Sequence, residues 1–348
     1  MIQLIQSGLV KQLEVEHKIK MKIYIYAIAK NEEKFAKRFM DSVKDADKVI
    51  VCDTGSTDNT INILKENGAE VHEIQVSPFR FDLARNMALL ECQDADVVIA
   101  LDLDEVMCEG WRKKIEKNWK LGETNMLRYR MIFGWKDKEQ TIPNITVWGI
   151  KIHCPKSWIW VDPIHENLLL REGFKENVVN LDEHLMVHYP DTEKEERNTR
   201  IEMMKKFVED EPNNTRAEYI LGREYFNKEM YKEAEEELKR YLSISVAYTE
   251  KERYSRSSAC RMIANSLIKT GGIVDEIVIW FIRSVAENPS QREPWIYLAN
   301  AWDVVGDKDM AIACANRGLQ ITDEKQSIIK EENCWGENVE RFISKIKI

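Results

Sequence analysis

Four apolar segments near the start of the chain alternate with helix-like segments, and this alternation restricts the fold more than any other feature. The apolar segments lie at residues 22–29, 48–52, 70–76 and 97–101. Short apolar segments bounded by charge or turn residues predict buried strands. Strands that alternate with helices predict parallel pairing with right-handed crossovers. The sequence therefore predicts an α/β domain with a doubly wound, mainly parallel sheet.

The last of these segments runs directly into carboxylates. Val97–Leu101 is followed by Asp102, Leu103, Asp104 and Glu105. Residues just past the carboxyl ends of parallel strands lie where open α/β sheets bind ligands. In extended backbone, Asp102 and Asp104 would leave the same face and could share one divalent cation, which could bridge a diphosphate. An ordinary strand end with solvated acids would explain an isolated Asp-x-Asp equally well.

Length and charge limit the class of protein. The chain has 348 residues, which predicts two domains, and its net charge is −9. Binding to nucleic acid through phosphates is disfavoured because it usually requires a basic surface, although a local patch stays open. Apolar runs approaching the roughly 18 residues of a membrane span do not occur in the sequence, so we expect no membrane span.

Cysteine spacing and the first residues indicate the compartment. The seven cysteines include no C-x-x-C pair, which predicts reduced packing residues and neither a zinc module nor a disulfide framework. Residues 1–20 lack the apolar core and cleavage site of a secretory signal, so we interpret them as a helical extension. Both features favour a cytoplasmic protein.

The second part of the chain has the pattern of helical repeats. Residues 191–211 predict a connecting helix after the first domain, which we place at 21–190. In the segment 212–348, Leu221-Gly222 is followed by Ala234 twelve residues after the glycine, and a later copy has the same spacing from Ala299 to Ala311. A degenerate copy lies at 254–289. This pattern predicts an all-α domain of tetratricopeptide-like repeats, which could bind a partner or form a homodimer.

Four motifs in the first domain together resemble the family-2 glycosyltransferases of the GT-A fold. In order they are A-x-A-K-N-E-E, V-I-V-C-D-T-G-S-T-D-N-T, F-x-x-A-R-N and A-L-D-L-D-E, all within residues 22–106. The resemblance implies transfer of a sugar, of the hexosyltransferase type, from a nucleotide-diphosphate donor, with UDP favoured. It also implies inversion at the anomeric carbon and a bound Mn²⁺ or Mg²⁺.

The resemblance also implies roles for individual residues. Asp53 would bond the base of the nucleotide, and Arg85 would lie near the base and phosphates. Asp102 would lie by the ribose and the metal. The implied donor-binding set is Ala29, Asn31, Asp53, Arg85, Asp102 and Leu103, and the implied metal ligands are Asp102, Asp104 and His188. A late histidine such as His188 would suit Mn²⁺. Asn31 could instead cap the helix that follows it.

A carboxylate on the acceptor side must take the proton from the attacking group in an inverting transfer. After the aromatic-rich segment 125–160, the stretch 161–167 places Asp162 and a His-Glu pair in a predicted loop. We expect Glu166 to be this base, with Asp162 as the second candidate. Glu166 could instead orient an acceptor hydroxyl or His165.

The sequence indicates the identity of the acceptor less clearly than that of the donor. The patterns H-E, V-H-Y-P, E-P-N-N and L-G-R-E resemble the bacterial peptide glycosyltransferases of the sublancin type across much of residues 22–230. Enzymes that build surface polysaccharide have similar architectures. The resemblance therefore implies either a peptide or protein acceptor or a glycan, held partly by the repeats.

The sequence also bears on three other functions. A repeat adaptor with an inert α/β domain is disfavoured, because an inert domain has no reason to keep Asp53, Arg85, Asp102 and Asp104 together. A sugar nucleotidylyltransferase would need a Gly-rich phosphate loop where Asn31 follows the first strand. Glycosylation of a modified DNA base stays open, and salt-dependent DNA binding would test it.

Overall fold

The computed structural model of the protein describes residues 20–191, 199–244, 249–322 and 332–346. The chain divides into two compact units, Met1–Glu195 and Glu196–Ile348. The helix expected within residues 1–20 lies outside the described residues except for Lys20. Residues 192–198 of the expected connecting helix also lie outside them.

The first unit contains ten strands and four helices within residues 20–191. The strands are β1 (Ile23–Ala29), β2 (Lys48–Asp53), β3 (Glu70–Glu73), β4 (Val97–Leu101), β5 (Glu105–Met107), β6 (Met126–Trp135), β7 (Pro143–His153), β8 (Trp158–Val161), β9 (Asn167–Leu170) and β10 (Val178–His188). The helices are α1 (Glu33–Ser42), α2 (Thr60–Glu66), α3 (Phe81–Leu90) and α4 (Trp111–Asn118).

Eight strands form one mixed sheet in the order β3-β2-β1-β4-β7-β6-β10-β5. The half built from β1 to β4 is parallel throughout. Strand β7 then enters antiparallel to both β4 and β6, while β10 runs parallel to β6 and antiparallel to β5. Strands β8 and β9 form a separate antiparallel pair. The predicted α/β class with a mainly parallel sheet in its first half is confirmed.

Both faces of the central strands are covered, which explains why β1 and β4 are apolar without alternation. On one face Ile25, Val51 and Ile99 pack with side chains of α1, α2 and α4. On the other face Tyr26 and Ala100 pack with α3 and β8. Because the parallel register pairs Ala29 with Asp53, the polar residues that follow β1, β2 and β4 lie at one edge of the sheet.

The second unit is helical throughout its described residues. Its helices are α5 (Thr199–Asp210), α6 (Thr215–Asn227), α7 (Tyr231–Ser243), α8 (Glu250–Thr270), α9 (Val274–Glu287), α10 (Arg292–Val305), α11 (Lys308–Leu319) and α12 (Gly336–Ile346), with a short 3₁₀ turn at Glu332–Cys334. Each helix packs on the next along the chain. The predicted all-α second domain is confirmed.

The small residues of the repeat pattern lie at close contacts between helices. A Cβ atom added to Gly222 on α6 would lie 2.6 Å from the Leu238 side chain on α7. Ala234, Ala299 and Ala311 are fully buried. These positions therefore serve packing, as expected for helical hairpins whose axes approach closely.

Candidate functional site

The loops after β1 and β2 are joined through Asn31. Its backbone N–H donates to Ser56 Oγ at 2.8 Å, and its Oδ1 accepts the N–H of Thr57 at 2.8 Å. The φ angle of Asn31 is +56°, a region that asparagine tolerates better than most residues. The residue before α1 is Glu32, so Asn31 does not occupy the N-cap position. Asn31 links two loops at the sheet edge.

Asp53 orders its own loop. Its Oδ1 accepts the N–H groups of Gly55 at 2.9 Å and Ser56 at 2.7 Å, and its Oδ2 accepts the Ser56 hydroxyl at 2.5 Å. Asp53 is 1% exposed. A carboxylate offers about four acceptor positions. A base N–H could therefore still bind here, but the carboxylate is already fixed in place by its loop.

The two apolar members of the implied donor-binding set are buried at this edge. The carbonyl of Ala29 accepts both the N–H and the hydroxyl of Thr54, at 2.9 and 3.1 Å. Leu103 is 2% exposed and packs in the core. Leu103 could therefore contribute only backbone atoms to a bound ligand.

Arg85 joins the two carboxylates that the sequence assigned to opposite sides of the reaction. Its Nη2 donates to Asp102 Oδ1 at 2.7 Å, and its Nε donates to Glu166 Oε1 at 2.5 Å. The Arg85 side chain is 5% exposed, and the guanidinium lies 5.1 Å from the Trp160 ring. Among the residues that the structure describes, the buried Nη1 has no hydrogen-bond partner. The Nη1 donor is therefore buried and unsatisfied within the described residues, a state that calls for an explanation such as a bound ligand.

Lys151 and Glu105 extend this network, and sequence reasoning did not single out either of them. Lys151 Nζ donates to Asp102 Oδ2 at 2.8 Å and to the two Glu105 oxygens at 2.7 and 2.8 Å. Glu105 Oε2 also accepts the N–H of Asp102 at 2.9 Å. The available signal was one lysine between two isoleucines in a strand-like segment. Such a lysine needs an anionic partner if it is buried.

The two cations fix the charge state of Asp102. Burial alone would raise the pKa of Asp102, but the charges of Arg85 and Lys151 outweigh it and hold that pKa well below its usual range. Burial would lower the pKa of Lys151, but the carboxylates of Asp102 and Glu105 raise it above its usual value. Asp102 is therefore an ionised carboxylate with a cation on each oxygen.

Asp104 and His188 form a separate pair beside this network. His188 Nε2 lies 3.2 Å from Asp104 Oδ2, and His188 Nδ1 lies 3.3 Å from the Phe133 carbonyl, to which it donates. Burial would lower the pKa of His188, but its contact with Asp104 raises it above its usual value. The Nδ1–H donation leaves Nε2 as the nitrogen that could bind a metal.

The geometry of the Asp-x-Asp segment differs from the expectation. Residues 102–105 form a turn, closed by the N–H of Glu105 to the carbonyl of Asp102 at 2.9 Å. The premise of extended backbone was therefore wrong. The turn sends Asp102 to Arg85 and Lys151, whereas Asp104 faces His188.

The three implied metal ligands do not meet as one group. Within the described residues, the one group of three His, Cys, Asp or Glu side chains with ligand atoms all within 4.8 Å is Glu70, His72 and Glu91. That group lies on β3 and after α3. Asp104 and His188 alone fit a shared cation, because two ligands about 2.1 Å from one ion lie about 3 Å apart.

Helix α3 positions the segment that carries the two base candidates. The Asn86 side chain donates to the Trp160 carbonyl at 2.8 Å and accepts the Trp160 N–H at 3.0 Å. The N–H of Phe81 donates to the Pro163 carbonyl at 2.9 Å. Asp162 Oδ2 accepts the Asn167 side-chain amide at 3.1 Å. The F-x-x-A-R-N segment therefore holds the 160–166 backbone with Phe81 and Asn86 and contacts Glu166 through Arg85.

A buried chain of hydrogen bonds supports Trp160. Trp160 Nε1 donates to Tyr26 Oη at 2.6 Å, and Tyr26 Oη lies 2.8 Å from His153 Nε2. His153 Nδ1 donates to the Cys154 carbonyl at 3.2 Å, so Nε2 accepts the tyrosine hydroxyl. Burial lowers the pKa of His153 to about 4. His153 is therefore neutral at pH 7, and the arrangement fixes the ring beneath Arg85.

Acidification is expected to destabilise the protein partly through His153. The unfolded chain protonates this residue near pH 6.5, but the folded chain does so only at about pH 4. The contribution of His153 to the free energy of unfolding is therefore fully present above pH 6.5. It is lost as the pH drops toward 4, by up to about 3 kcal/mol. Urea unfolding at pH 7 and pH 4.5 should show a smaller pH effect in His153→Gln than in the wild type. His72, whose side chain is 33% exposed, is the matched control when changed to Gln. An unchanged pH effect in His153→Gln would contradict the assignment.

Comparison with known proteins supports a glycosyltransferase. Residues 24–169 match the family model described as glycosyl transferase family 2, and this range includes every implied donor-binding residue and Glu166. No curated protein matches the chain.

Solved structures resemble only part of the chain. A crystal structure of MamA is 20% identical with a TM-score of 0.31 and covers 35% of this chain and 66% of that one. PilF of Pseudomonas aeruginosa is 15% identical with a TM-score of 0.31 and covers 35% and 52%. The chain thus matches less than two thirds of the length of either protein, and likenesses this weak carry no conclusion. Within the described residues, no helix has the length and apolar character needed to cross a membrane.

Proposed function

We propose that the protein is a metal-dependent, inverting glycosyltransferase that uses a nucleotide-diphosphate sugar, with UDP as the favoured nucleotide. The observation that carries the proposal is the convergence of the matched residues on one edge of the sheet. Asn31, Asp53 and Asp102 lie at the carboxyl ends of three neighbouring parallel strands there, with Asp53 the last residue of β2. In open α/β sheets this edge is where ligands bind.

The donor would bind across these loops. The carboxylate of Asp53, which has about one acceptor position left, would accept an N–H of the base, and the Nη1–H of Arg85, unpartnered among the described residues, would donate to an anionic or carbonyl oxygen. Asp104 and His188 would hold the divalent cation. A bound Mn²⁺ or Mg²⁺ supplies positive charge where negative charge develops on the leaving diphosphate.

The acceptor would be activated by a carboxylate of the 160–166 segment. Glu166 is the first candidate, because Arg85 fixes it within the same network as Asp102. Asp162 is the second. We propose a peptide, protein or glycan acceptor that the helical repeats partly hold. Arg261 and Tyr225 are buried in that unit, so accessible positions such as Arg223 are better candidates for acceptor contact.

A donor panel tests the proposed activity without knowledge of the acceptor. The full chain is incubated with Mn²⁺ and a set of nucleotide sugars, and release of nucleoside diphosphate is followed. Slow hydrolysis of one donor, abolished by a chelator and restored by Mn²⁺, is the expected result. No hydrolysis of any nucleotide sugar, together with no binding of nucleoside diphosphates, would overturn the proposal.

Asp104→Asn is expected to remove metal-dependent turnover while leaving the fold intact. The Asp104 side chain is 27% exposed and outside the apolar core, so little packing is lost. Calorimetric titration of nucleoside diphosphate with and without Mn²⁺ measures the effect, and Asp182→Asn on the exposed edge of β10 is the control. If the variant still shows Mn²⁺-enhanced binding and wild-type turnover, Asp104 is not a ligand.

A further inference from the structure

We propose that the Lys151 ammonium group is a resident cation of this site that keeps Asp102 out of the coordination shell of a divalent metal. The proposal concerns the residue that the donor-site motifs do not contain. It rests on the proposed function only for the presence of a divalent cation beside Asp104.

The position of Lys151 is set by the sheet. Strand β7 pairs antiparallel with β4, with Ile152 opposite Ile99, so Lys151 lies close to the carboxyl end of β4. Its ammonium group is held between Asp102 and Glu105 at 2.7 to 2.8 Å. Glu105 is 3% exposed and accepts the Asp102 N–H, so all three groups form one closed arrangement. The Lys151–Glu105 pair is largely shielded from water, with side chains 20% and 3% exposed, so its charges interact more strongly than those of a surface pair.

Access alone does not keep a metal from Asp102. The Asp102 side chain is 38% exposed, more than the 27% of Asp104. Its two oxygens, however, each contact a cation, with Arg85 on Oδ1 and Lys151 on Oδ2. A metal ion bound to Oδ2 would lie within a few ångströms of the ammonium group, where like charges repel. The charge of Lys151 is therefore the barrier to a metal ion at Oδ2, as the charge of Arg85 is at Oδ1.

Within the part of the chain that the structure describes, no cationic side chain is hydrogen-bonded to the Asp104–His188 pair. His188 Nε2 and Asp104 Oδ2 contact each other, and His188 Nδ1 contacts a carbonyl. His188 Nε2 and Asp104 Oδ2 could offer a nitrogen and an oxygen to one ion. Lys151 thus gives the two aspartates of the Asp-x-Asp segment different roles. Asp102, whose charge is balanced by cations, is a positioning group, and Asp104 is the metal ligand.

The test measures Mn²⁺ affinity of the full chain by electron paramagnetic resonance, without donor or acceptor. Three variants are compared with the wild type. They are Asp102→Asn, the double variant Lys151→Met/Glu105→Gln, and that double variant with Asp102→Asn added. Removing the charges of Lys151 and Glu105 together leaves the net charge unchanged. Asp102 is then the only carboxylate that loses its contact with the ammonium group. Lys151→Arg is the matched control that retains a cation.

We expect Asp102→Asn to change the Mn²⁺ dissociation constant less than about threefold, well below the 10-fold or larger change of a lost ligand or outer-shell partner. The double variant should bind Mn²⁺ about tenfold more tightly. Adding Asp102→Asn should remove this gain, and Lys151→Arg should show no gain. Binding by the double variant when the wild type binds no Mn²⁺ would equally support the proposal.

Several results would overturn it. A tenfold weaker Mn²⁺ affinity in Asp102→Asn would mean that Asp102 is a metal ligand although Lys151 is present, because this variant leaves the Lys151–Glu105 pair intact. No gain in the folded double variant, or no Mn²⁺ binding by any variant, would show that Lys151 does not exclude the metal. Circular dichroism checks folding, and Lys151→Gln replaces the double variant if that one does not fold. Because no nucleotide sugar is present, these outcomes are independent of whether the protein transfers sugar.

Discussion

Glu166→Gln is expected to lower sugar transfer by about 10²–10⁴-fold, the usual contribution of a positioned acid or base. The amide cannot take a proton from the attacking group, but its oxygen can still accept the N–H of Arg85 that Glu166 now accepts at 2.5 Å. Affinity for the nucleoside diphosphate should therefore stay nearly unchanged. Transfer to acceptor, or to water when the acceptor is unknown, measures the first effect, and calorimetry measures the second.

Asp162→Asn is the companion variant for this prediction. Asp162 lies in the same segment and accepts a hydrogen bond from Asn167, which the amide oxygen can still accept. If Asp162→Asn shows the larger loss of transfer, Asp162 is the base and Glu166 positions Arg85. Wild-type rates in both variants would place the base outside this segment.

Arg85→Met is expected to destabilise the first unit by about 3–5 kcal/mol, because removal of one partner leaves buried charge uncompensated. Arg85 is the direct partner of both Asp102 and Glu166, and its side chain is only 5% exposed. Urea unfolding measures the loss. Adding Asp102→Asn and Glu166→Gln to Arg85→Met should recover a large part of it, since those substitutions remove the unpaired charges.

Arg128→Met is the matched control for this loss. Arg128 lies 3.8 Å from Glu176, and both side chains are about half exposed, at 46% and 53%. Surface ion pairs of this kind contribute about 0–1 kcal/mol. A loss in Arg85→Met no larger than that in Arg128→Met would mean that solvent, not Arg85, stabilises the two carboxylates.

Periodicity in the sequence was enough to predict the parallel half of the sheet. The segments of β1, β2 and β4 are apolar because both faces are covered, and the polar residues at their ends mark one edge. This reasoning is local, because an apolar segment and the charged or turn residues that bound it are identified from consecutive residues alone. The helical second unit followed in the same way from the spacing of Gly222 and Ala234.

The turn at residues 102–105 was not predictable by the same reasoning. The sequence continues from a strand into alternating acids, a pattern that extended backbone would also accommodate. What ends the strand is the pairing of β5 with β10, which places Glu105 opposite His188. The chain must turn between β4 and β5, and the two aspartates are sent to different partners.

The sequence by itself determined the elements, their order and the edge at which the polar loops collect, because those depend on burial patterns within short segments. Only the tertiary structure decided which charges meet. Lys151 contacts Asp102 across 49 residues, and Arg85 contacts Glu166 across 81. Such contacts depend on β7 entering the sheet antiparallel next to β4 and on α3 packing against β8. The local patterns indicate strands and the faces that they bury, but they do not specify which distant strands become neighbours in the sheet.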